Sequence, residues 1–267
     1  LSSGTDVFRR LRRQPFHSTA SEHCRWESGG HDLIMPISHN PTEWPGRSAV
    51  RVAAGSLLDL LLPPLCTVCR VGHRENGGLC ADCFAAVEDA RRAEACPTCA
   101  AGVGPFEVQE GRCGECRGRR PHVAATARVG LYKGVLGQML RQCKYQSRDE
   151  LVPLMGAWLV ESIGRAGWLS GVEAVCYVPT HWRRQLRRRF YPAGELARLT
   201  ARRLGLPCLR LLRRVRAGPH QVGLSHEQRV AKVRGAFAMR KGVQLQEARL
   251  LLIDDVRTTG ATLNECA

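Results

Sequence analysis

Lysine is almost missing from this basic chain: only Lys133, Lys144, Lys232 and Lys241 occur, so 36 of the 40 basic residues in 267 are arginine. Against 24 acidic residues the formal net charge is +16, which favours anionic partners such as nucleic acid or phosphorylated small molecules. Base composition of the genome or a solvated cationic surface produces the same skew, so charge alone does not choose between them. Long apolar runs are also missing. The fullest, GSLLDLLLPPLC from Gly55 to Cys66, is interrupted by Asp59 and by Pro63-Pro64 and falls short of the ~20 residues a bilayer span needs. No basic segment followed by an apolar core opens the sequence at Leu1, so no secretory signal is read and the expectation is a cytoplasmic protein without membrane insertion. A G-x-x-x-x-G-K-[ST] loop is absent as well, which argues against a nucleoside triphosphatase. Residues 1–55 lack any hydrophobic period; STASEH, ESGGHD and SHNPTEWPGRS read as a poorly ordered extension.

Cysteine, in contrast, is abundant and ordered. Of 13 cysteines, eight form the pairs Cys66/Cys69, Cys80/Cys83, Cys96/Cys99 and Cys113/Cys116, one spacing repeated four times within 51 residues. Random placement would give about 0.6 such pairs, so the repeat points to metal. A C-x-x-C turn sets two thiolates on one side of a tight loop, and two turns complete a tetrahedral zinc site. The intervening 10, 12 and 13 residues suit hairpins. Sequential pairing then gives two structural zinc sites over residues 56–120, and an interleaved pairing stays open. A disulfide framework fits poorly with the missing signal and with Cys24, Cys143, Cys176, Cys208 and Cys266 left over; Cys143 and Cys208 read as small buried apolar residues.

From 121 to 267 the texture changes to strands alternating with helices. VEAVCYV (Val172 to Val178) reads as a buried strand, AGELARLTARRLG as an amphipathic helix with Leu196, Leu199 and Leu204 inward and Gly205 as its stop, PCLRLLRRV as a second strand, and ARLLLIDDV as the clearest strand, followed by a helix from ATLNECA. This alternation predicts a parallel α/β sheet, with ligands beyond the carboxyl ends of its strands. Asp254 and Asp255 fall there. Thr258, Thr259, Gly260 and Thr262 supply hydroxyls and approachable backbone N–H groups for phosphate, while the carboxylates suit sugar hydroxyls or water-mediated Mg²⁺. A strand end with a helix cap is the plainer alternative. Trp158 and Trp168 read as core or rim, not as base-stacking platforms.

LLLIDDVRTTGAT closely resembles the 5-phosphoribosyl-1-pyrophosphate (PRPP) motif of type I phosphoribosyltransferases. Together with LLPPLCTVCR, YKGVLGQMLRQCKYQSRDELVPLMG, VPTHWRR and QVGLSHEQRVAKVRGAF, the chain from about residue 56 resembles the ComF family, a double zinc ribbon followed by a phosphoribosyltransferase-like domain. The resemblance implies a parallel sheet of the type I phosphoribosyltransferase kind, expected to be truncated at its C-terminus because the sequence ends inside the helix after the loop. It implies PRPP and Mg²⁺ as ligands, with Asp254 and Asp255 on the ribose hydroxyls and Thr258, Thr259, Gly260, Ala261 and Thr262 around the 5-phosphate. Pro179, Thr180, His181 and Arg183 would face the pyrophosphate, and residues 218–234 would close over the site with Arg229. The implied reaction moves a ribosyl phosphate with loss of pyrophosphate; the implied role is DNA uptake in natural competence, with single-stranded DNA and competence-machinery proteins as partners. A non-catalytic single-stranded nucleic-acid-binding protein with a regulatory PRPP site is the alternative, separable by a steep salt dependence of DNA binding. Two departures stand out. Arg188-Arg189-Phe190-Tyr191-Pro192-Ala193 replaces the family's R-G-F-N-Q-A, where proline removes an N–H donor, and Lys232 replaces an asparagine.

Overall fold

The computed structural model describes residues 64–117, 121–180, 191–216, 226–243, 245 and 247–267. The extension expected at residues 1–55 lies outside the described residues. Among those described, no helix is long and apolar enough to cross a membrane.

Both cysteine modules are small ribbons whose turns are closed by backbone hydrogen bonds. In the first, Cys66 N–H donates to Gly72 O (2.7 Å) and Arg70 N–H to Cys66 O (3.0 Å), curling the knuckle back on itself. The second half of that module begins α1 (Ala81–Arg92), with Cys80 at the N-cap and Cys83 in the first turn. Gly72 is required by close approach: a Cβ there would lie 2.5 Å from Cys80 Cβ and 2.8 Å from its Sγ. In the second module β1 (Val108–Gln109) and β2 (Arg112–Cys113) form an antiparallel hairpin. Its two-residue loop, Glu110 (φ 51°) and Gly111 (φ 72°), has both residues left-handed, the signature of a type I′ turn.

The α/β half starts with α2 (Gly134–Gln146), ended by left-handed Ser147, and α3 (Val152–Arg165), whose proline sits in the first turn where a missing N–H costs nothing. Next come β3 (Ala174–Tyr177), α4 (Pro192–Leu204), β4 (Cys208–Leu209), β5 (Leu212–Arg214), α5 (His226–Val233), β6 (Phe237–Met239), β7 (Leu250–Ile253) and α6 (Ala261–Cys266). The central sheet has the order β4-β3-β7 and is wholly parallel, with Ala174 opposite Leu250 and Tyr177 opposite Ile253. The expected mixed architecture of a parallel sheet behind a cysteine ribbon is present.

Two expectations change in detail. PCLRLLRRV is not one strand: β4 pairs with β3, and after Leu211 the chain turns away so that β5 pairs antiparallel with β6 instead. Arg240 N–H donates to Leu211 O at the switch (2.9 Å). Pro192 costs α4 no hydrogen bond, because it is the first residue of that helix behind the N-cap Tyr191, a position whose N–H has no intrahelical partner; Arg188, Arg189 and Phe190 lie outside the described residues. The α4 reading holds otherwise, with Leu196 buried, Leu199 and Leu204 packed against the core, and Gly205 left-handed at the stop.

One apolar core unites the first ribbon with the helices and sheet: Val68, Leu79 and Val87 share it with Met139, Leu151, Ile163 and Val175. Full burial of such side chains stabilises by about 1.5–3 kcal/mol each. Trp158 is 5% exposed and carries the Arg91 guanidinium 5.3 Å from its ring centroid; Arg91 also pairs with Glu88 and Glu161, tying α1 to α3. Trp168 packs at the edge of this core. The second ribbon has a separate small cluster of Cys96, Cys99, Ala101, Cys113 and Cys116, backed by Val103.

Candidate functional site

Each ribbon gathers four sulfurs. The thiols of Cys66, Cys69, Cys80 and Cys83, and those of Cys96, Cys99, Cys113 and Cys116, lie within 4.8 Å of one another in their sets. The pairing is therefore sequential. Representative separations are 3.7 Å for Cys69–Cys80, 3.7 Å for Cys96–Cys116 and 3.6 Å for Cys99–Cys113. A tetrahedron with Zn–S of about 2.3 Å has edges of about 3.8 Å, whereas a disulfide would bring sulfurs to about 2.05 Å. The eight thiols are free and fit two structural zinc sites. Their electrostatics are graded. Burial works against the Cys66 thiolate, but N–H groups of Cys69, Cys80 and Val68 outweigh it and bring the thiol down to about 6; the same balance brings Cys96 to about 6. Burial pushes Cys99 up to about 12 although Arg257 favours its thiolate. A metal that deprotonates all four thiols of a set removes this conflict.

The second assembly lies at the carboxyl ends of β3 and β7. Because the two strands run in parallel register, with Val178 N–H donating to Ile253 O (2.9 Å), Pro179-Thr180 and Asp254-Asp255 leave the sheet at the same edge. Asp255 N–H donates to Asp254 Oδ1 (2.8 Å), and Lys144 Nζ from α2 lies 3.0 Å from Asp255 Oδ2, both side chains 16% exposed. Burial, reinforced by the neighbouring Asp255 charge, raises the Asp254 carboxyl to about 7. Tyr191 faces the same pair; burial first, then Asp254 and Asp255, raise its phenol and keep it neutral, and its O–H donates to Val178 O. The loop then turns through left-handed Gly260 (φ 75°) into α6, with Thr259 Oγ1 accepting from Ala261 N–H (3.3 Å). A cavity of about 1150 Å³ opens beside β7, with Asp254, Asp255, Arg257 and Thr258 among its polar lining and Leu136, Met155 and Trp168 among its apolar lining.

His181 and Arg183 lie outside the described residues, as does the side chain of Arg229. The described candidates, Pro179, Thr180, Asp254, Asp255 and the loop from Thr258 to Thr262, are brought to one edge of the sheet. Two participants were not anticipated. Lys144 was visible only as one position of a longer pattern, since helical spacing says nothing about which strand end it meets. Glu115, inside the CGEC knuckle, reaches Arg257 of the loop with 3.5 Å between Oε2 and Nη2, a contact spanning 142 positions that no local pattern announces.

The balance at Asp254 has a measurable result. Its carboxyl rises from 3.8 unfolded to about 7 folded, so between those pH values the folded protein holds a proton that the unfolded chain has lost, and stability falls as pH rises through that window. Asp254→Asn is expected to gain stability over the wild type from pH 4 to 7 and then level, reaching about 1–2 kcal/mol after allowance for solvent at this half-buried residue. Denaturant unfolding of both proteins at pH 5 and pH 8 measures it; an equal difference at the two pH values contradicts it.

The double zinc ribbon domain family matches residues 57–117. The chain is 29% identical over 213 residues to the DNA utilization protein YhgH of Salmonella typhi, covering 78% of this chain and 91% of that protein. Competence protein F of Haemophilus influenzae is 28% identical over 206 residues, 75% of this chain and 87% of that protein, and YhgH of Escherichia coli K12 is 28% identical over 218 residues, 78% and 91%. No solved structure matches the chain significantly. With two four-cysteine clusters of zinc-ribbon geometry, the chain carries a double zinc ribbon domain and is similar over three quarters or more of its length to competence protein F and the DNA utilization proteins.

Proposed function

We propose that the protein binds PRPP together with Mg²⁺ at the shared edge of β3 and β7, acts as a phosphoribosyltransferase-type protein, and serves DNA uptake. The observation that carries this reading is the paired carboxylate Asp254-Asp255 at the end of a buried parallel strand, followed at once by a threonine-rich loop that turns through a left-handed glycine into a helix. Each part matches a part of the ligand. Asp254 and Asp255 offer acceptors at one edge for two sugar hydroxyls, and Thr258, Thr259 and Thr262 offer hydroxyl donors for a terminal phosphate. Lys144, partly buried against Asp255, fixes that carboxylate in place.

Among the described residues the only clusters of three or more metal-binding side chains are the cysteine sets. Two carboxylates without a full protein cage suit Mg²⁺, which is commonly held by one or two carboxylates and the oxygens of a phosphorylated substrate. When bound, the ion would supply charge neutralisation to a departing pyrophosphate. The chain's own residues do the rest: the strand end fixes the sugar, and Tyr191, neutral and spent on the Val178 carbonyl, packs against Tyr177 with ring centroids 6.0 Å apart and so joins the start of α4 to the end of β3. Such transfer depends on position and charge compensation more than on a covalent nucleophile.

The DNA-uptake role is supported by the relatives, which are called competence protein F and DNA utilization protein, and by a net charge of +16 that suits polyanions. Calorimetric titration of zinc-loaded protein with PRPP tests the site: saturable heat with one ligand per chain in the presence of Mg²⁺, and at least tenfold weaker binding of ribose 5-phosphate, is the expected result. Absence of heat from folded protein overturns it.

A further inference from the structure

The second zinc ribbon and the threonine-rich loop touch through residues that neither motif needs for its own work. Glu115 lies between Cys113 and Cys116, where a ribbon asks only for a residue that fits the turn. Arg257 is the spacer between Asp254-Asp255 and Thr258, where a phosphate cradle asks for no particular side chain. Yet Arg257 Nη2 approaches Glu115 Oε2 at 3.5 Å, and its Nη1 donates to Thr258 O at 3.3 Å. The guanidinium also packs against the turn itself, since a Cβ at Gly260 would lie 3.3 Å from Arg257 Nε. Arg257 is only 16% exposed, whereas Glu115 is 51% exposed, so the arginine is seated by the loop and the carboxylate reaches to it.

A second link runs in parallel. His122, just past the ribbon, donates its N–H to Asn264 Oδ1 (2.5 Å), and its Nδ1 lies 3.0 Å from Asn264 O. Asn264 belongs to α6, the helix that the loop opens. The ribbon is thus tied to the loop through Glu115, and the helix behind the loop is held by His122 from the segment that follows the ribbon.

We propose that Arg257 is shared between the two modules, so that zinc in the second ribbon and a phosphorylated ligand in the loop stabilise one another. This rests on the reading of the loop as a phosphate cradle. The physical argument is one of ordering. A guanidinium between a ligand phosphate and Glu115 bridges two anions, and ligand that orders the loop also orders Glu115 on the ribbon side. Coupling between two binding sites is reciprocal in binding free energy, so ligand must then tighten zinc binding by the same factor by which zinc tightens ligand binding, and the smaller zinc-free population is alkylated more slowly.

The test reads the metal site directly. Zinc-loaded full-length protein is challenged with a zinc-selective chelator in the presence of iodoacetamide, and alkylation of Cys96, Cys99, Cys113 and Cys116 is followed by peptide mass spectrometry with and without saturating Mg·PRPP. Parallel titration calorimetry reports whether the ligand binds. Ligand is expected to slow alkylation of these four cysteines about three- to tenfold in the wild type and to leave it within twofold in Glu115→Gln, a surface substitution that keeps all eight cysteines, with zinc content measured to show two ions per chain. Arg257→Gln is expected to behave as Glu115→Gln does. If calorimetry shows binding but protection is absent, is equal in the variants, or is reversed into faster alkylation, the coupling is overturned and the phosphate reading stands. If calorimetry shows no binding, the phosphate reading fails and takes the coupling with it.

Discussion

Replacing both Asp254 and Asp255 by asparagine is expected to weaken Mg·PRPP binding by about 10²- to 10⁴-fold, beyond detection in an ordinary titration. Asparagine keeps the size of each side chain and one acceptor oxygen, so the effect isolates charge. Hydrogen bonds to an ionised group contribute about 1.5–3 kcal/mol each, and losing that advantage twice corresponds to the range stated. The free protein sharpens the argument. The Asp254 carboxyl is held up to about 7 by burial and by its charged neighbour, and hydrogen bonds from a ligand to the ionised form would bring it down. The variant should stay folded, because removing the Asp254 charge relieves repulsion, even though Lys144 loses its ionic partner at Asp255. Calorimetry on wild type and variant, with thermal unfolding as the control, decides. Binding weakened less than tenfold in a folded variant would show that the carboxylates are a strand end and cap after all, and that the ligand is held by the loop alone.

Much of this site could be read from the chain, and the reason is that its chemistry is local. The strand, the acids and the threonines of 250–262 are contiguous, and a C-x-x-C repeat declares its own ligands, so neither needed the fold to be known. The sequential pairing of the knuckles was less secure in advance because interleaving uses the same spacing; it is settled by which sulfurs meet at under 4 Å. Contacts between distant segments were invisible. Nothing in QMLRQCKYQ marks Lys144 as the residue that meets Asp255, since its helical neighbours Gln142 and Cys143 turn to other work: Gln142 Nε2 donates to Val68 O (3.1 Å) and Cys143 Sγ approaches Arg148 O (3.0 Å). PCLRLLRRV misled because its apolar residues run straight through the point where one sheet ends and another begins. The same composition serves both, and only the partner strand, β3 or β6, distinguishes them.

The two ribbons are expected to differ sharply in what their zinc supports. Cys66→Ser should lower the melting temperature of the protein by about 10–20 °C, whereas Cys96→Ser should lower it by only a few degrees, although each variant loses one of two zinc ions. The difference follows from where each ribbon's apolar residues go. Val68, Leu79 and Val87 belong to the core that also holds Met139, Leu151, Ile163 and Val175. The knuckle is further stitched to α2 and its exit by Gln142 and by Arg148, whose Nη2 donates to Thr67 O (2.9 Å). Releasing three buried aliphatic side chains at about 1.5–3 kcal/mol each consumes most of a total stability of about 5–15 kcal/mol, and a domain of this size loses about 2–4 °C per kcal/mol. The second ribbon's cluster is its own four cysteines with Ala101 and Val103, so its unfolding exposes little that the sheet relies on; the Arg128 guanidinium, which donates to the carbonyls of Ala93, Glu94 and Ala100 at its base (2.7–3.1 Å), would return to water. Differential scanning calorimetry beside metal analysis measures both variants. Equal losses of melting temperature would mean that the second ribbon braces the sheet as strongly as the first, and the division of the core drawn from their burial would be wrong.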